Sequence, residues 1–379
     1  MKMKQNIFFT FAGLFLAVIV FTTARQNLCD QKNTASSTLS DHVLNKSLPE
    51  QDSISEALSS YSKLPYKELI FPTKKLRSSH APSIVELPNG ELFAVWYAET
   101  PLISDVAIWG SRRPVDAHEW TTPSVIHNTS VRADKNPVLY LDKDKKLWLF
   151  WAVEKGKSKL WRADTLRMKI SKDFGHTWGE AYNFGTPPGV LPRTHPIRLH
   201  NGWVIFPLYV DWNTSSAVVI SKDGGLTWGR LKYVLPLMGT QPTVIQRSDL
   251  SLFALMRSGM WPRQSWQAVS KNFGDDWKSY RVSGVKNPGS SLEMIKLRNG
   301  HVVLVFNDSK KNRSNLSIAL SYDEGKSWAH VKAIENKPGH NYSYPSIAQD
   351  RLGLIHVLYS YDNLTNIAHF VTNEQWIEK

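Results

Sequence analysis

Four short motifs recur along the chain at nearly constant spacing, and they constrain its fold more than any other feature. They read Ser171-Lys-Asp173-Phe-Gly175-His-Thr177-Trp178, Ser221-Lys-Asp223-Gly-Gly225-Leu-Thr227-Trp228, Ser270-Lys-Asn272-Phe-Gly274-Asp-Asp276-Trp277 and Ser321-Tyr-Asp323-Glu-Gly325-Lys-Ser327-Trp328. Their serines are 50, 49 and 51 residues apart. A period of this size marks a repeat architecture. Within each motif the Asp or Asn is expected to bond the backbone two residues on. Gly supplies the positive φ of a tight turn. The Thr or Ser hydroxyl ties the turn back to the Asp, and Trp packs it onto the next strand. These residues are expected to be structural, neither catalytic nor calcium-binding.

A second repeat runs in the same phase. A polar residue and a Pro open an apolar strand at His80-Ala-Pro82, Asn136-Pro137, His195-Pro196, Gln241-Pro242, Asn287-Pro288 and Tyr344-Pro345. A turn and a longer apolar strand follow, as at Leu92–Tyr97, Leu147–Trp151 and Val302–Phe306. Asn89-Gly90, Asn201-Gly202 and Asn299-Gly300 suit hairpin turns. Six units of about 45–60 residues, each with about four short strands, point to an all-β, six-bladed β-propeller over residues 65–379. The last unit ends near Val371, one strand short. The run Tyr66–Phe71 is expected to complete it and close the ring.

Residues 1–25 read as a signal peptide or signal anchor, because Lys2 and Lys4 precede an uncharged apolar run from Ile7 to Ala24. Residues 26–64 read as a polar, flexible linker. The propeller is therefore expected to be exported: periplasmic, secreted, or held at a membrane through residues 7–24. The single Cys29 excludes an intramolecular disulfide and a Cys-rich zinc site. No phosphate-binding loop, dinucleotide fingerprint or His-Glu-x-x-His is present, so no cofactor and no metal are expected. Lys and Arg outnumber Asp and Glu by 46 to 33, a net charge of +13. That balance favours an anionic partner. Export and the scatter of the basic residues argue for an acidic glycan over nucleic acid. No protein partner is inferable.

In a propeller the innermost strands line a central channel. If the polar residue before each Pro starts an inner strand, then His80, Asn136, His195, Gln241, Asn287 and Tyr344 face one another at one channel end. The competing expectation is that each bonds only local backbone. Arg193, Arg257 and Arg313 stand near the ends of these units and suit bidentate recognition of a carboxylate.

The Ser-x-Asp-x-Gly-x-Thr-Trp motifs resemble the Asp boxes of the sialidase (neuraminidase) superfamily, and the resemblance covers the chain after residue 65. It implies an arginine clamp on the substrate carboxylate, with Arg257 as its second member and Arg313 as its third. It implies a Tyr nucleophile at Tyr344, with Tyr342 as a near alternative. It implies an acid/base carboxylate on the loop before the first Asp box, offered here by Glu99 and Asp105. Two positions depart from the pattern. His80 stands where the first clamp arginine belongs, in His80-Ala81-Pro82 instead of Arg-Ile-Pro. Gln241 stands where a Glu would activate the tyrosine, and Gln takes no proton. Glu293 is a candidate replacement.

The expected function is that of an exo-α-sialidase-like glycoside hydrolase acting on terminal acidic sugars. One alternative is another acid-sugar enzyme on the same scaffold, a uronate-specific hydrolase or a polysaccharide lyase. In the lyase, His80 or His195 with Tyr344 abstracts a proton beside the carboxylate. The other is a non-catalytic glycan-binding propeller, with Trp161, Trp261 and Trp266 as sugar-stacking candidates.

Overall fold

The computed structural model describes residues 63–379, apart from 72–75, 100–104, 116, 155–162, 236–238 and 260–262. The expected leader, Cys29, Trp161, Trp261 and nearly all of the expected linker lie outside the described residues. No described helix is long and apolar enough to cross a membrane.

The Asp boxes are hairpin turns held from two sides. Ser171 Oγ donates to Asp173 Oδ1 at 2.7 Å and accepts from the Gly175 amide at 2.7 Å. The carboxylate accepts from the Thr177 amide and hydroxyl at 2.8 and 2.6 Å. The Asp thus bonds backbone four residues on, and it is the Ser that bonds two residues on. The copy at Asn272 keeps the same plan, with its Oδ1 accepting from the Asp276 amide at 2.9 Å. Phe174 and Gly175 both take positive φ, 59° and 85°, which the tight reversal requires. Trp228 packs edge-on to Phe150 and tilted against Phe184 and Phe206, so the turn of one unit packs against strands of its neighbour.

The strands follow as antiparallel meanders. Strand β1 (Tyr66–Leu69) leads. Next come β2 (Arg77–Glu86), β3 (Leu92–Glu99), β4 (Val106–Arg113), β5 (Ser124–His127), β6 (Ala133–Leu141), β7 (Leu147–Glu154), β8 (Ala163–Ser171) and β9 (Tyr182–Asn183). These eight strands form one sheet. It consists of two meanders, β2 to β5 and β6 to β9, bridged by one parallel pair, Val106 with Ala133. A five-stranded sheet holds β10 (Val190–Pro192), β11 (Ile197–Arg198), β12 (Val204–Val210), β13 (Ser215–Ser221) and β14 (Lys232–Leu235). A four-stranded sheet holds β15 (Gly239–Gln246), β16 (Leu252–Ser258), β17 (Gln264–Ser270) and β18 (Lys278–Lys286). Another holds β19 (Glu293–Lys296), β20 (Val302–Phe306), β21 (Asn315–Ser321) and β22 (His330–Asn336). The last holds β23 (Ser343–Gln349), β24 (Ile355–Tyr361) and β25 (Asn366–Thr372). Strand β1 completes it, with Tyr66 opposite Val371 and Leu69 opposite Ala368. A short helix, α1 (Glu374–Glu378), is capped by the Asn373 side chain. The architecture is an all-β propeller.

The sheets pack face to face. Strands β7 and β12 are buried along their whole length, which is why they read as continuous apolar runs. One core cluster joins Val138, Trp148 and Phe150 to Val204, Phe206 and Val219, across two sheets. Among the described residues no backbone ladder links one inner strand to another, and side chains staple them. The Ile84 amide donates to Ser346 Oγ, the Leu139 amide to Ser83 Oγ, and the Met294 amide to Thr243 Oγ1. Thr194 Oγ1 donates to the Pro242 carbonyl, and the Ile347 amide to Glu293.

Candidate active site

The inner strands carry a repeated irregularity. Ala81, Asn136, Gln241 and Tyr344 each precede a Pro and take positive φ, 50°, 50°, 52° and 57°. The pairing register breaks at each of these points. Such β-bulges re-aim a side chain at a cost of order 1–3 kcal/mol each, and they cluster at functional sites. Here they turn the starts of β2, β6, β15 and β23 into one channel mouth.

That mouth is a cavity of about 830 Å³ lined by His80, Tyr97, Glu99, Lys135, Asn136, Glu154, Tyr209, Asp211, Gln241, Arg257, Arg313 and Tyr344, among others. Arg257 Nη1 donates to the Tyr344 hydroxyl at 3.0 Å and to Gln241 Oε1 at 3.1 Å. Gln241 Nε2 completes the triangle at 3.4 Å from that hydroxyl. Burial pushes the Tyr344 phenol up. The charges of Arg257 and Arg313, the Gln241 bond and Arg193 outweigh it and bring the phenol down to about 8. Arg313 lies with its Cζ 5.5 Å from the Tyr344 ring centre and donates to the Gly289 carbonyl at 2.8 Å.

His80 packs its ring 4.1 Å from that of Tyr344 and pairs its Nδ1 with Ser360 Oγ at 2.7 Å. Burial, then Arg193, Arg313, Arg257 and Lys135, hold it well below the usual imidazole range. It is therefore neutral at pH 7 and supplies no cation where the first clamp arginine was expected. Asn136 donates to the Tyr209 hydroxyl at 2.9 Å. Glu99, the last residue of β3, is exposed at the rim.

Several expected residues lie elsewhere. Asp105 does not line the cavity, and its carboxylate accepts from the Val131 amide at 3.3 Å. Arg193 is sealed beneath the cavity, 2% exposed, so it is not positioned to touch substrate. Tyr342 is a core residue against Tyr359 and Tyr361, and burial pushes its phenol up to about 12. Trp266 packs against a core cluster and does not line the cavity. Asn287 forms a local turn, accepting from the Gly289 and Ser290 amides, and does not reach the ring. That turn presents the Gly289 carbonyl that holds Arg313.

His195 and Glu293 face the opposite channel mouth. This second cavity, about 590 Å³, is lined by the far ends of the same inner strands, such as Glu86, Leu141, Gln246 and Gln349. There His195 Nδ1 and its amide meet Glu293 Oε1 at 2.9 and 3.1 Å, and Ser83 Oγ meets His195 Nε2 at 2.9 Å. Glu293 is thus committed to a structural staple, away from the Tyr344 hydroxyl. His195 and Asn287 differ from the other X-Pro positions because neither takes the left-handed bend.

Sequence reasoning missed Lys135, Glu154, Tyr97, Tyr209 and Asp211. Lys135 donates to Glu154 Oε2 at 2.6 Å, which leaves the buried Oε1 without a hydrogen-bond partner. The available signal was a polar residue closing an apolar second strand. Glu99, Glu154 and Arg257 all follow that rule. Among the described residues no group of His, Cys, Asp and Glu is arranged to hold a metal ion.

Residues 90–357 match the BNR repeat-like domain. A sialidase of Bacteroides fragilis (strain YCH46) is 24% identical over 268 residues, 62% of this chain and 48% of its own length. The chain thus spans about half of that relative. Among solved structures, a protein of unknown function from Dyadobacter fermentans superposes with a TM-score of 0.68 at 16% identity, covering 82% of this chain and 98% of the other. The Hadza microbial sialidase Hz136 gives 0.68 at 18% identity, covering 79% and 66%.

Proposed function

Because the chain belongs to the BNR repeat-like domain family of the sialidase superfamily, we propose that it is an exo-α-sialidase-type glycoside hydrolase releasing terminal acidic sugars. The observation that carries this reading is the Tyr344 hydroxyl held between Arg257 and Gln241, with Arg313 beside its ring. Arg257 and Arg313 bind the substrate carboxylate, since a guanidinium has donors for both carboxylate and phenol. Tyr344, ionised to its phenolate, attacks the anomeric carbon and the glycosidic C–O bond breaks as Glu99 gives its proton to the leaving oxygen. Water then attacks the glycosyl-enzyme, Glu99 accepts a proton from that water, and Tyr344 departs as the phenolate. A Tyr nucleophile suits a substrate whose own carboxylate would repel an Asp or Glu.

The two bridged meanders of the eight-stranded sheet count as separate blades, giving six. Asn136 belongs to the wall that takes the sugar's hydroxyl or acylamino groups. Residues 1–25 deliver the domain across a membrane or anchor it there, and residues 26–64 tether it.

One observation favours a second reading. Neutral His80 lies against Tyr344, which suits proton abstraction beside a uronate carboxylate by a lyase. The test is turnover of a fluorogenic α-sialoside and of uronate-terminated glycans by wild type and Tyr344→Phe. Sialoside cleavage lost in the variant supports the hydrolase. An ultraviolet-absorbing unsaturated product from uronates replaces it with the lyase. Binding without turnover leaves a lectin-like propeller.

A further inference from the structure

The hydroxyl of Tyr344 has no carboxylate partner, and what stands beneath its ring is a cation. Arg193 follows β10 and is 2% exposed. Its Nη2 donates to the Pro345 carbonyl at 2.7 Å and its Nη1 to the Pro82 carbonyl at 3.4 Å. Its Cζ lies 5.1 Å from the Tyr344 ring centre, and its Nε has no hydrogen-bond partner. Glu293 exerts a field on it but is committed to His195 and the Ile347 amide. A buried guanidinium without a dedicated carboxylate is costly, so its charge is expected to serve something beyond packing.

The two carbonyls it binds are informative. Pro345 follows Tyr344, and Pro82 follows His80-Ala81, so one guanidinium grips the chain just after two left-handed bends. The groups around Tyr344 come from every neighbouring element: His80 of β2, Tyr97 of β3, Tyr209 of β12, Gln241 of β15, Arg257 of β16 and Arg313 before β21. These six are neutral or cationic; the same cavity also holds the cation Lys135 of β6 and the carboxylates of Glu99, Glu154 and Asp211. Glu154 and Asp211 act on Tyr97 and Tyr209. A bound carboxylate neutralises Arg257 and Arg313. Arg193 lies out of its reach and keeps its charge when the pocket is filled.

We infer that Arg193 is a positioning residue of this centre: it fixes the bends that aim His80 and Tyr344, and its charge favours the ionised Tyr344 oxygen in place of a carboxylate base. The kinetic part of this inference rests on the sialidase reading; the ionisation part does not.

The test uses the full chain with Arg193→Met, Arg193→Lys and Tyr344→Phe. Without substrate, ultraviolet difference titration is expected to show one early phenol ionisation in wild type that Tyr344→Phe lacks. In Arg193→Met its midpoint is expected to rise by about one pH unit, while Arg193→Lys, which keeps the charge, stays within a few tenths. With an aryl sialoside, Arg193→Met is expected to lower kcat at pH 7 about tenfold with KM within about twofold. An unmoved midpoint in a folded Arg193→Met overturns the inference, as does a rise in KM that exceeds the loss in kcat. If Arg193→Met does not fold, loss of the early ionisation in Arg193→Lys overturns it and retention supports it. A shifted titration with no sialoside turnover in wild type upholds the ionisation role and rejects the sialidase reading.

Discussion

One nitrogen of Arg257 serves both Gln241 and Tyr344: its Nη1 lies 3.1 Å from the Gln241 carbonyl oxygen and 3.0 Å from the Tyr344 hydroxyl. The tyrosine hydroxyl is thereby bonded to Arg257 and Gln241, and among the described residues no carboxylate is bonded to it.

Tyr344→Phe removes the attacking oxygen and leaves the clamp in place. Activity on an acidic aryl glycoside is expected to fall on the order of 10³-fold or more in kcat, with KM little changed. Steady-state kinetics check this. A variant keeping a tenth of wild-type kcat would exclude Tyr344 as nucleophile.

The phenol near 8 predicts a specific pH profile. For an aryl leaving group, which needs no protonation, kcat/KM reports the free enzyme's tyrosine. The active form is the phenolate, so kcat/KM is expected to rise with pH and level off above about 8. Gln241→Glu supplies a base beside the hydroxyl, and the ascending limb is expected to move to lower pH. A limb that stays put or moves upward counts against loss of the proton as what limits Tyr344.

Glu99→Gln separates acid catalysis from nucleophilic attack. On a natural glycan, whose leaving oxygen needs a proton, kcat is expected to fall about 10²–10⁴-fold. On an aryl glycoside the loss is expected to stay within about tenfold. Equal losses on both substrates would shift the acid to another residue.

The second Asp box offers a stability test. Bonds from the Thr227 hydroxyl, the Thr227 amide and Ser221 hold the Asp223 carboxyl at about 2, below its ordinary 3.8. A depressed carboxyl stabilises the fold above its unfolded value and loses that contribution as pH falls through its folded value. At pH 7, Asp223→Asn is expected to lower Tm by about 1–3 °C. The difference should shrink between pH 3.8 and about 2. A Tm gap that is constant with pH, measured by calorimetry, would deny the carboxylate its role in the turn.

What the sequence revealed, and what it hid, follows from how local each feature is. The Asp boxes were legible because their bonds span four residues. The strand Tyr66–Leu69 was legible as the missing edge of the last unit. Gln241, Asn136 and Tyr344 were legible because each directly precedes a Pro. His195 and Asn287 share that signal and not the geometry, since the left-handed bend depends on how the neighbouring strand pairs, not on the Pro alone. Tyr342 and Tyr344 differ for the same reason: the register break after Ser343 sends one ring into the core and the other into the channel. Lys135 and Glu154 sit on paired strands, and Tyr209 meets Asn136 from another sheet. Such encounters are set by tertiary packing that no local spacing encodes.

The pairing of β1 with β25 has a temporal consequence. During synthesis Tyr66 emerges early, and its partner Val371 arrives only after nearly every other strand has been made. Until then the nascent ring has two raw edges, each able to recruit a foreign strand. Closing so long a loop is slow, because its entropy is lost before the final contacts repay it. The clasp that covers the β25 edge in the finished molecule therefore also sets the interval in which the chain is most exposed to misassembly.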